Sequence, residues 1–94
     1  MGKWLVERRL KQANVRLRRL RDELGVIDEQ LAQLSDEAGD MGIRSLVSET
    51  PGAAYDYHHA QAHAEAMAKH RAHVLASIAE LEHRQDLLLD RMVG

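Results

Sequence analysis

Apolar side chains recur along this 94-residue sequence at alternating spacings of four and three, which is a period of 3.5 residues. This is the pattern of a coiled coil, in which a narrow apolar stripe of one helix packs against a neighbouring helix. In the first half the stripe comprises Val6, Leu10, Ala13, Leu17, Leu20, Leu24, Ile27, Leu31, Leu34, Ala38 and Met41. In the second half it comprises Ala53, Tyr57, Ala60, Ala64, Met67, Arg71, Val74, Ile78, Leu81, Gln85, Leu88 and Met92. The pattern predicts two long helices.

The segment between the two stripes carries residues that are typical of helix ends. Gly39 and Gly42 stand near the predicted end of the first helix, and Pro51 stands where the second begins. Glycine is favoured just after a helix and proline at its first position. The hydroxyl of Thr50 is suited to cap the second helix.

These signals predict helices over about 3–39 and 52–92, joined by an ordered tip over 40–51. A short connection favours antiparallel neighbours. The predicted fold class is therefore all-α, a single-domain antiparallel two-helix coiled-coil hairpin. Leu46 and Val47 are expected to cover the end of the stripe. We expect the hairpin either to dimerise into a four-helix bundle or to pack on a partner.

The register of the two helices follows from the position of the turn. If the turn centres near Val47, the numbers of facing residues sum to 94 or 95. Leu17 then faces Ile78, and Leu20 faces Val74. A slip of seven residues keeps the same phase, so the pattern favours this register without excluding the other.

Several apolar residues lie outside the stripes. Exposed apolar residues are normal on a soluble protein when they are scattered. Alternatively, they form a second contact face for self-association or for a protein partner. The candidate interface residues are Trp4, Leu75, Leu87 and Leu89.

Charge is segregated along the chain. Residues 1–21 hold eight basic residues and one acid, a net charge of +7, whereas residues 22–56 have a net charge of −8. The basic residues are either solvated and paired within the chain, or they contact an acidic protein or a nucleic-acid backbone. No base-reading motif is present, so a nucleic acid would be held by its phosphates. The candidate contact residues are Arg8, Arg9, Lys11, Arg16, Arg18 and Arg19.

Acidic residues are expected to gather at the tip of the hairpin, at Asp36, Glu37, Asp40 and Glu49. Gly39-Asp40-Met41 resembles a Gly-Asp-Leu at the coiled-coil tip of Gre-type transcript-cleavage factors, and Ala54-Tyr55-Asp56 resembles an Ala-Glu-Tyr that follows it there. About ten additional residues intervene here, and the globular domain of those factors has no counterpart in the sequence. The resemblance implies an acidic-tipped hairpin that regulates RNA polymerase from its secondary channel.

All six histidines lie between positions 58 and 83. On a helix, Asp56, His59 and His63 share one face, and their side chains are donors that suit zinc. No fourth ligand is evident, so solvated histidines and no metal site are the primary interpretation, with these three residues as the only candidates. A response to pH is a further interpretation, because histidine titrates near neutral pH.

Catalysis has little support in the sequence. Cysteine is absent, and neither a glycine-rich phosphate loop nor a nucleophile elbow occurs. No stretch approaches the roughly 20 apolar residues of a membrane span. We therefore expect a cytoplasmic, non-catalytic interaction module or adaptor that docks on a protein partner or forms a homodimer. We expect no cofactor, small-molecule substrate or membrane contact. Nucleic-acid phosphate binding is the alternative function, and regulation of RNA polymerase is a weaker one.

Overall fold

A computed structural model describes residues 2–94. Two helices account for nearly all of them: α1 spans Gly2–Ser48 and α2 spans Pro51–Val93. No strand occurs in the described part of the chain. The structure therefore confirms the predicted all-α helical hairpin.

The burial of side chains follows the 3.5-residue repeat. Every position of the two predicted stripes is buried or half-buried. Within residues 2–94, the only other positions that are not exposed are Gly42, Ser45, Ala54 and Ser77. The most deeply buried side chains are Val6, Ala13, Leu17, Ile27, Val74, Ile78 and Leu81. The contact between the helices is thus the coiled-coil stripe that the sequence predicts.

The chain divides into two compact units. Unit 1 combines residues 2–24 with His73–Gly94, and unit 2 is Gly25–Ala72. Among the seven buried side chains, Ile27 alone belongs to unit 2. Most of the core therefore lies in unit 1.

The two polar residues of the second stripe are each paired with a polar residue of α1. In unit 1 the Gln85 amide donates a hydrogen bond to Oδ1 of Asn14. In unit 2 the Arg71 Nε donates to Oδ1 of Asp28 at 2.5 Å. The two pairs stand two heptads apart on both helices. Each unit therefore contains one pair between a polar stripe residue of α2 and a polar residue of α1.

The connection between the helices is shorter than the predicted tip. Helix α1 continues through Gly39 and Gly42 to Ser48, so the tip predicted over 40–51 is not observed. A helical glycine costs only about 1 kcal/mol relative to alanine, and tertiary packing overcomes such a cost. At Gly42 the packing partner is visible, because a Cβ added there would lie 3.0 Å from Cε1 of Tyr57.

The chain reverses at Glu49 and Thr50. Glu49 has a φ of 51°, the left-handed conformation that often follows a helix, and its N–H donates to the Ser45 carbonyl at 3.2 Å. The residue before a proline is disfavoured in the helical conformation, so Pro51 forces α1 to end before it. The predicted cap is confirmed, since Thr50 Oγ1 accepts the Ala53 N–H at 3.2 Å.

The later turn also changes the predicted register. The numbers of the residues in the Asn14–Gln85 and Asp28–Arg71 pairs sum to 99, not to the predicted 94 or 95. Leu46 and Val47 are each 80% exposed, so they do not cover the end of the stripe. Both differences have one cause: α1 continues to Ser48, and the chain turns at Glu49 and Thr50 instead of near Val47.

Candidate functional site

Unit 1 carries an open groove between its two helical segments, with a volume of about 480 Å³. We call it the arginine groove. It is lined by Arg9, Gln12, Ala13 and Arg16 from α1 and by Leu81, Arg84, Leu87, Leu88 and Arg91 from α2.

The arginines stand in two pairs along the edges of this groove. Arg9 and Arg16 are seven residues apart on α1, and Arg84 and Arg91 are seven apart on α2. Seven helical residues make about two turns, or roughly 10 Å. Each edge of the arginine groove therefore presents two guanidinium groups on one helix face.

The floor of the arginine groove is apolar. Leu81 is buried and belongs to the core, Leu88 is half-buried, and Leu87 is 52% exposed. Because the exposed leucine lies among the four arginines, the groove offers apolar contact and positive charge together. This combination suits an amphipathic anionic surface better than a small inorganic anion.

The charge of the arginine groove is largely uncompensated. Within residues 2–94, Arg9, Arg16 and Arg91 form no ion pair, whereas Arg84 contacts Glu80 at 3.0 Å one turn away. Like charges gathered in one groove raise the local positive potential and attract anionic groups. The guanidinium groups face water, so their mutual repulsion is screened and compatible with a folded hairpin.

The other predicted basic residues lie outside the arginine groove. A shallow depression on α1 is lined by Lys11, Gln12, Val15, Arg16 and Arg19. The guanidinium carbon of Arg8 lies 5.7 Å from the centroid of a Trp4 ring, which is a cation–π contact. Arg18 is exposed on α1 and lines neither site. The structure thus brings together only Arg9 and Arg16 of the predicted basic set with an apolar floor.

The predicted apolar interface is divided in the same way. Leu87 lies in the arginine groove, whereas Trp4, Leu75 and Leu89 are exposed outside it. The structure therefore places only Leu87, of the four predicted interface residues, in the arginine groove.

Sequence reasoning missed Arg84 and Arg91 as members of the site. The signal that identifies them is positional, because each of the four groove arginines directly precedes a stripe residue that lies four positions after the previous stripe residue. In an antiparallel coiled coil, residues at this flanking position line one side of the helix pair. Counting basic residues along the chain favoured the first 21 positions and concealed the contribution of α2.

Unit 2 carries a second open groove, with a volume of about 340 Å³. We call it the carboxylate groove. It is lined by Leu34, Glu37 and Met41 from α1 and by Tyr55, Asp56, His59, Ala60 and His63 from α2. Tyr55 is 70% exposed, and its ring stacks on that of His59 with centroids 6.2 Å apart.

The four residues of the predicted acidic tip all lie in unit 2, on α1 or in the connection. Glu37 lines the carboxylate groove, and Asp36 and Asp40 are exposed on α1 outside it. Glu49 alone lies in the connection. Asp40 stands about two turns before the end of α1, so Gly39-Asp40-Met41 does not form the apex of the hairpin. These three residues, which carry part of the resemblance to Gre-type factors, therefore lie within α1, and the regulation of RNA polymerase that it implies stays a prediction.

The candidate metal ligands Asp56, His59 and His63 do line one groove, as their spacing predicts. Among residues 2–94, however, no group of three or more acidic or histidine side chains is arranged to hold a metal ion. The same part of the chain contains no helical segment that is both long and apolar enough to traverse a bilayer.

No protein family, curated protein or solved structure matches this chain. The geometry and charge of the arginine groove and the carboxylate groove therefore carry the inference of function.

Proposed function

We propose that the chain is a non-catalytic interaction module that binds an acidic protein surface through the arginine groove of unit 1. The observation that carries the proposal is the exposed Leu87 set among four arginines, three of which form no ion pair within residues 2–94. Arginine is enriched among the residues that contribute most to binding at protein interfaces, and apolar side chains make up much of the buried centre of an interface.

The shape of the arginine groove favours a helical occupant. Its arginine pairs repeat over about two helical turns on each edge. A helical surface, from one helix or from two, that carries an apolar residue between carboxylates would place the apolar residue on Leu87 and the carboxylates near the arginines. This mode of recognition, a helix seated in an apolar groove, is common among protein-binding modules.

Nucleic-acid binding is the second candidate function. It is favoured by the depression that Lys11, Arg16 and Arg19 line on α1, since it has basic residues and Val15 but no leucine floor. Contact there would be to phosphates and would decline steeply as salt increases. The apolar floor of the arginine groove would contribute little to such a contact, which separates the two candidates experimentally.

The test is capture from cell lysate by the immobilised chain, with and without nuclease, using paired variants. In one pair, Leu87→Glu alters the floor of the arginine groove and Leu75→Glu alters an exposed leucine outside it. In the other, the double variant Arg9→Glu and Arg16→Glu reverses charge in the groove, and Arg8→Glu with Arg18→Glu reverses the same charge outside it.

We expect a protein partner that survives nuclease and is lost with both groove variants but retained with both controls. Circular dichroism is used to check that every variant remains helical. Equal loss with groove and control variants would refute the arginine groove as the binding site. Retention of Leu87→Glu binding together with nuclease-sensitive capture would instead support the phosphate-binding alternative.

A further inference from the structure

The arginine groove and the carboxylate groove are alike in construction and opposite in charge. Each is lined by both helices and has an apolar floor with one exposed large side chain, Leu87 in unit 1 and Tyr55 in unit 2. The charged residues occupy the same position of the repeat, because Glu37 and Asp56, like the four arginines, directly precede a stripe residue that lies four positions after the previous one.

The charge difference extends beyond the grooves. Counting formal charges at neutral histidine, the chain positions of unit 1 sum to +3 and those of unit 2 sum to −5. Each unit therefore repels an identical unit and attracts the other kind. Complementary charge of this sort selects partner and orientation, and it accelerates association.

We propose that the acidic partner of the arginine groove is a second copy of this chain, which contributes its carboxylate groove. This inference rests on the proposed function and names its partner. Glu37 and Asp56 of one copy meet Arg9, Arg16 and Arg91 of the other, which form no ion pair within residues 2–94. Leu87 and Tyr55 bring apolar surface to the same contact.

Charge determines how the copies associate. A contact between two arginine grooves would place eight guanidinium groups together, and a contact between two carboxylate grooves would bring acid against acid. The contact of unit 1 with unit 2 avoids both arrangements. When it is reciprocated within one pair of copies it closes a two-fold dimer, and when it continues to a third copy it gives a longer assembly.

The test uses two charge-reversed variants whose mixture restores complementarity. In the first variant, Arg9→Glu, Arg16→Glu and Arg91→Glu make the arginine groove acidic. In the second variant, Glu37→Lys and Asp56→Lys make the carboxylate groove basic. The mass of wild-type, single-variant and mixed samples is measured by sedimentation at low and high salt.

We expect the wild-type chain to self-associate and each variant alone to bind itself at least tenfold more weakly, as measured couplings between close interfacial charge pairs imply. The mixture is expected to recover association, because one contact then combines two reversed grooves and the other combines two native ones. High salt is expected to weaken both the wild-type and the mixed assemblies.

The matched controls reverse the same number of charges outside the grooves, with Lys3→Glu, Arg8→Glu and Arg18→Glu in unit 1 and Asp36→Lys and Asp40→Lys in unit 2. They are expected to weaken self-association by less than the groove variants do, because a charge outside the contact acts mainly on the association rate and the salt dependence. Equal losses from groove and control variants would overturn the inference, as would a mixture that fails to recover association.

The outcomes also separate this inference from the proposed function. A chain that stays monomeric while its groove variants lose an acidic protein from lysate retains the proposed function and loses the second copy as its partner. A chain that self-associates with full affinity in both variants uses another face, which also overturns the inference. Loss of neither binding nor association in the groove variants would contradict both proposals.

Discussion

Unit 1 and unit 2 use the same 3.5-residue repeat but fill it with different side chains. In unit 1 the stripe is made largely of leucine, isoleucine and valine, and it holds six of the seven buried side chains. In unit 2 Ile27 alone is buried, and much of the second stripe is alanine, at Ala53, Ala60 and Ala64. An identical periodicity therefore supports two contacts of unequal size.

The difference indicates a division of tasks between the units. Free energy from burial scales with the apolar area removed from water, so the leucine-rich stripe of unit 1 contributes most to folding. The alanine-rich stripe of unit 2 contributes less, and its surface carries the larger net charge, −5 against +3. A heptad repeat alone thus predicts where helices touch, but the size of each stripe residue decides how much the contact stabilises.

The largest expected effect comes from leucines at equivalent positions of the repeat. Leu17 in unit 1 is 2% exposed, and Leu31 in unit 2 is half-buried two heptads later. We expect Leu17→Ala to lower the free energy of unfolding by about 3 kcal/mol, because it leaves a cavity in a closed core. Leu31→Ala should cost about half as much, since its surroundings are open to water.

Urea denaturation followed by circular dichroism measures both changes. The ratio of the two losses is informative even if both are scaled by residual structure in the unfolded chain. If Leu31→Ala destabilised the protein as much as Leu17→Ala, the unequal division of the core between the units would be disproved.

The second prediction converts part of unit 2 towards the composition of unit 1. Arg71 occupies a stripe position and pairs with Asp28, but the two side chains are 38% and 48% exposed. Such a pair contributes about 0–1 kcal/mol. We expect Arg71→Leu to raise the free energy of unfolding by about 1 kcal/mol, because a leucine there would bury additional apolar area.

Asp28→Ala is the control for this prediction, because it removes the ion pair without adding a leucine. It should change stability by less than about 1 kcal/mol. A decrease in stability for Arg71→Leu, matched by a similar decrease for Asp28→Ala, would show that the ion pair outweighs apolar burial in unit 2.

The stripes themselves could be predicted from the sequence, and every stripe position is buried or half-buried. The end of α1 could not be predicted by treating Gly39 and Gly42 as helix breakers, because a helical glycine is disfavoured by only about 1 kcal/mol. The decisive signal was Pro51. Its ring contacts Thr50, the residue before it, and so disfavours the helical conformation at Thr50. Once the turn is placed at Glu49 and Thr50, the register follows.

The candidate site was only partly visible in the sequence. The basic first helix indicated Arg9 and Arg16, but Arg84 and Arg91 stand in a segment with nearby acids and so did not form a basic run. Their grouping depends on the antiparallel pairing of the helices within unit 1, which places residues far apart in the chain along one groove. Counting charged residues along the sequence cannot reveal a cluster that two paired helices bring together.

A third prediction compares two glycines of α1 within unit 2. At Gly39 an added Cβ would meet nothing within 4 Å, whereas at Gly42 it would lie 3.0 Å from Cε1 of Tyr57. We expect Gly39→Ala to raise the free energy of unfolding by about 0.8 kcal/mol through the higher helix propensity of alanine. Gly42→Ala should show little or none of this gain, because the ring of Tyr57 must shift.

Thermal denaturation of the two variants under identical conditions provides the comparison. Each replaces one helical glycine with alanine, so their difference isolates the contact with Tyr57. Equal stabilisation by both variants would mean that the ring of Tyr57 moves at no cost. Packing around Gly42 would then not help to hold α1 helical beyond its predicted end.

The smallest expected effect concerns the connection, where Glu49 has a φ of 51°. A side chain in this left-handed conformation costs about 1–2 kcal/mol relative to glycine, although glycine loses more backbone entropy on folding. We therefore expect Glu49→Gly to raise the free energy of unfolding by about 0.5 kcal/mol.

A carboxylate just after a helix also opposes the helix dipole, so the effect of the charge must be separated from the effect of the backbone conformation. Glu49→Ala makes that separation in denaturation measurements, because alanine removes the charge but keeps the unfavourable φ. If Glu49→Ala stabilises the chain as much as Glu49→Gly, the cost at this turn is electrostatic; if glycine alone stabilises it, the cost is the left-handed backbone that the short connection requires.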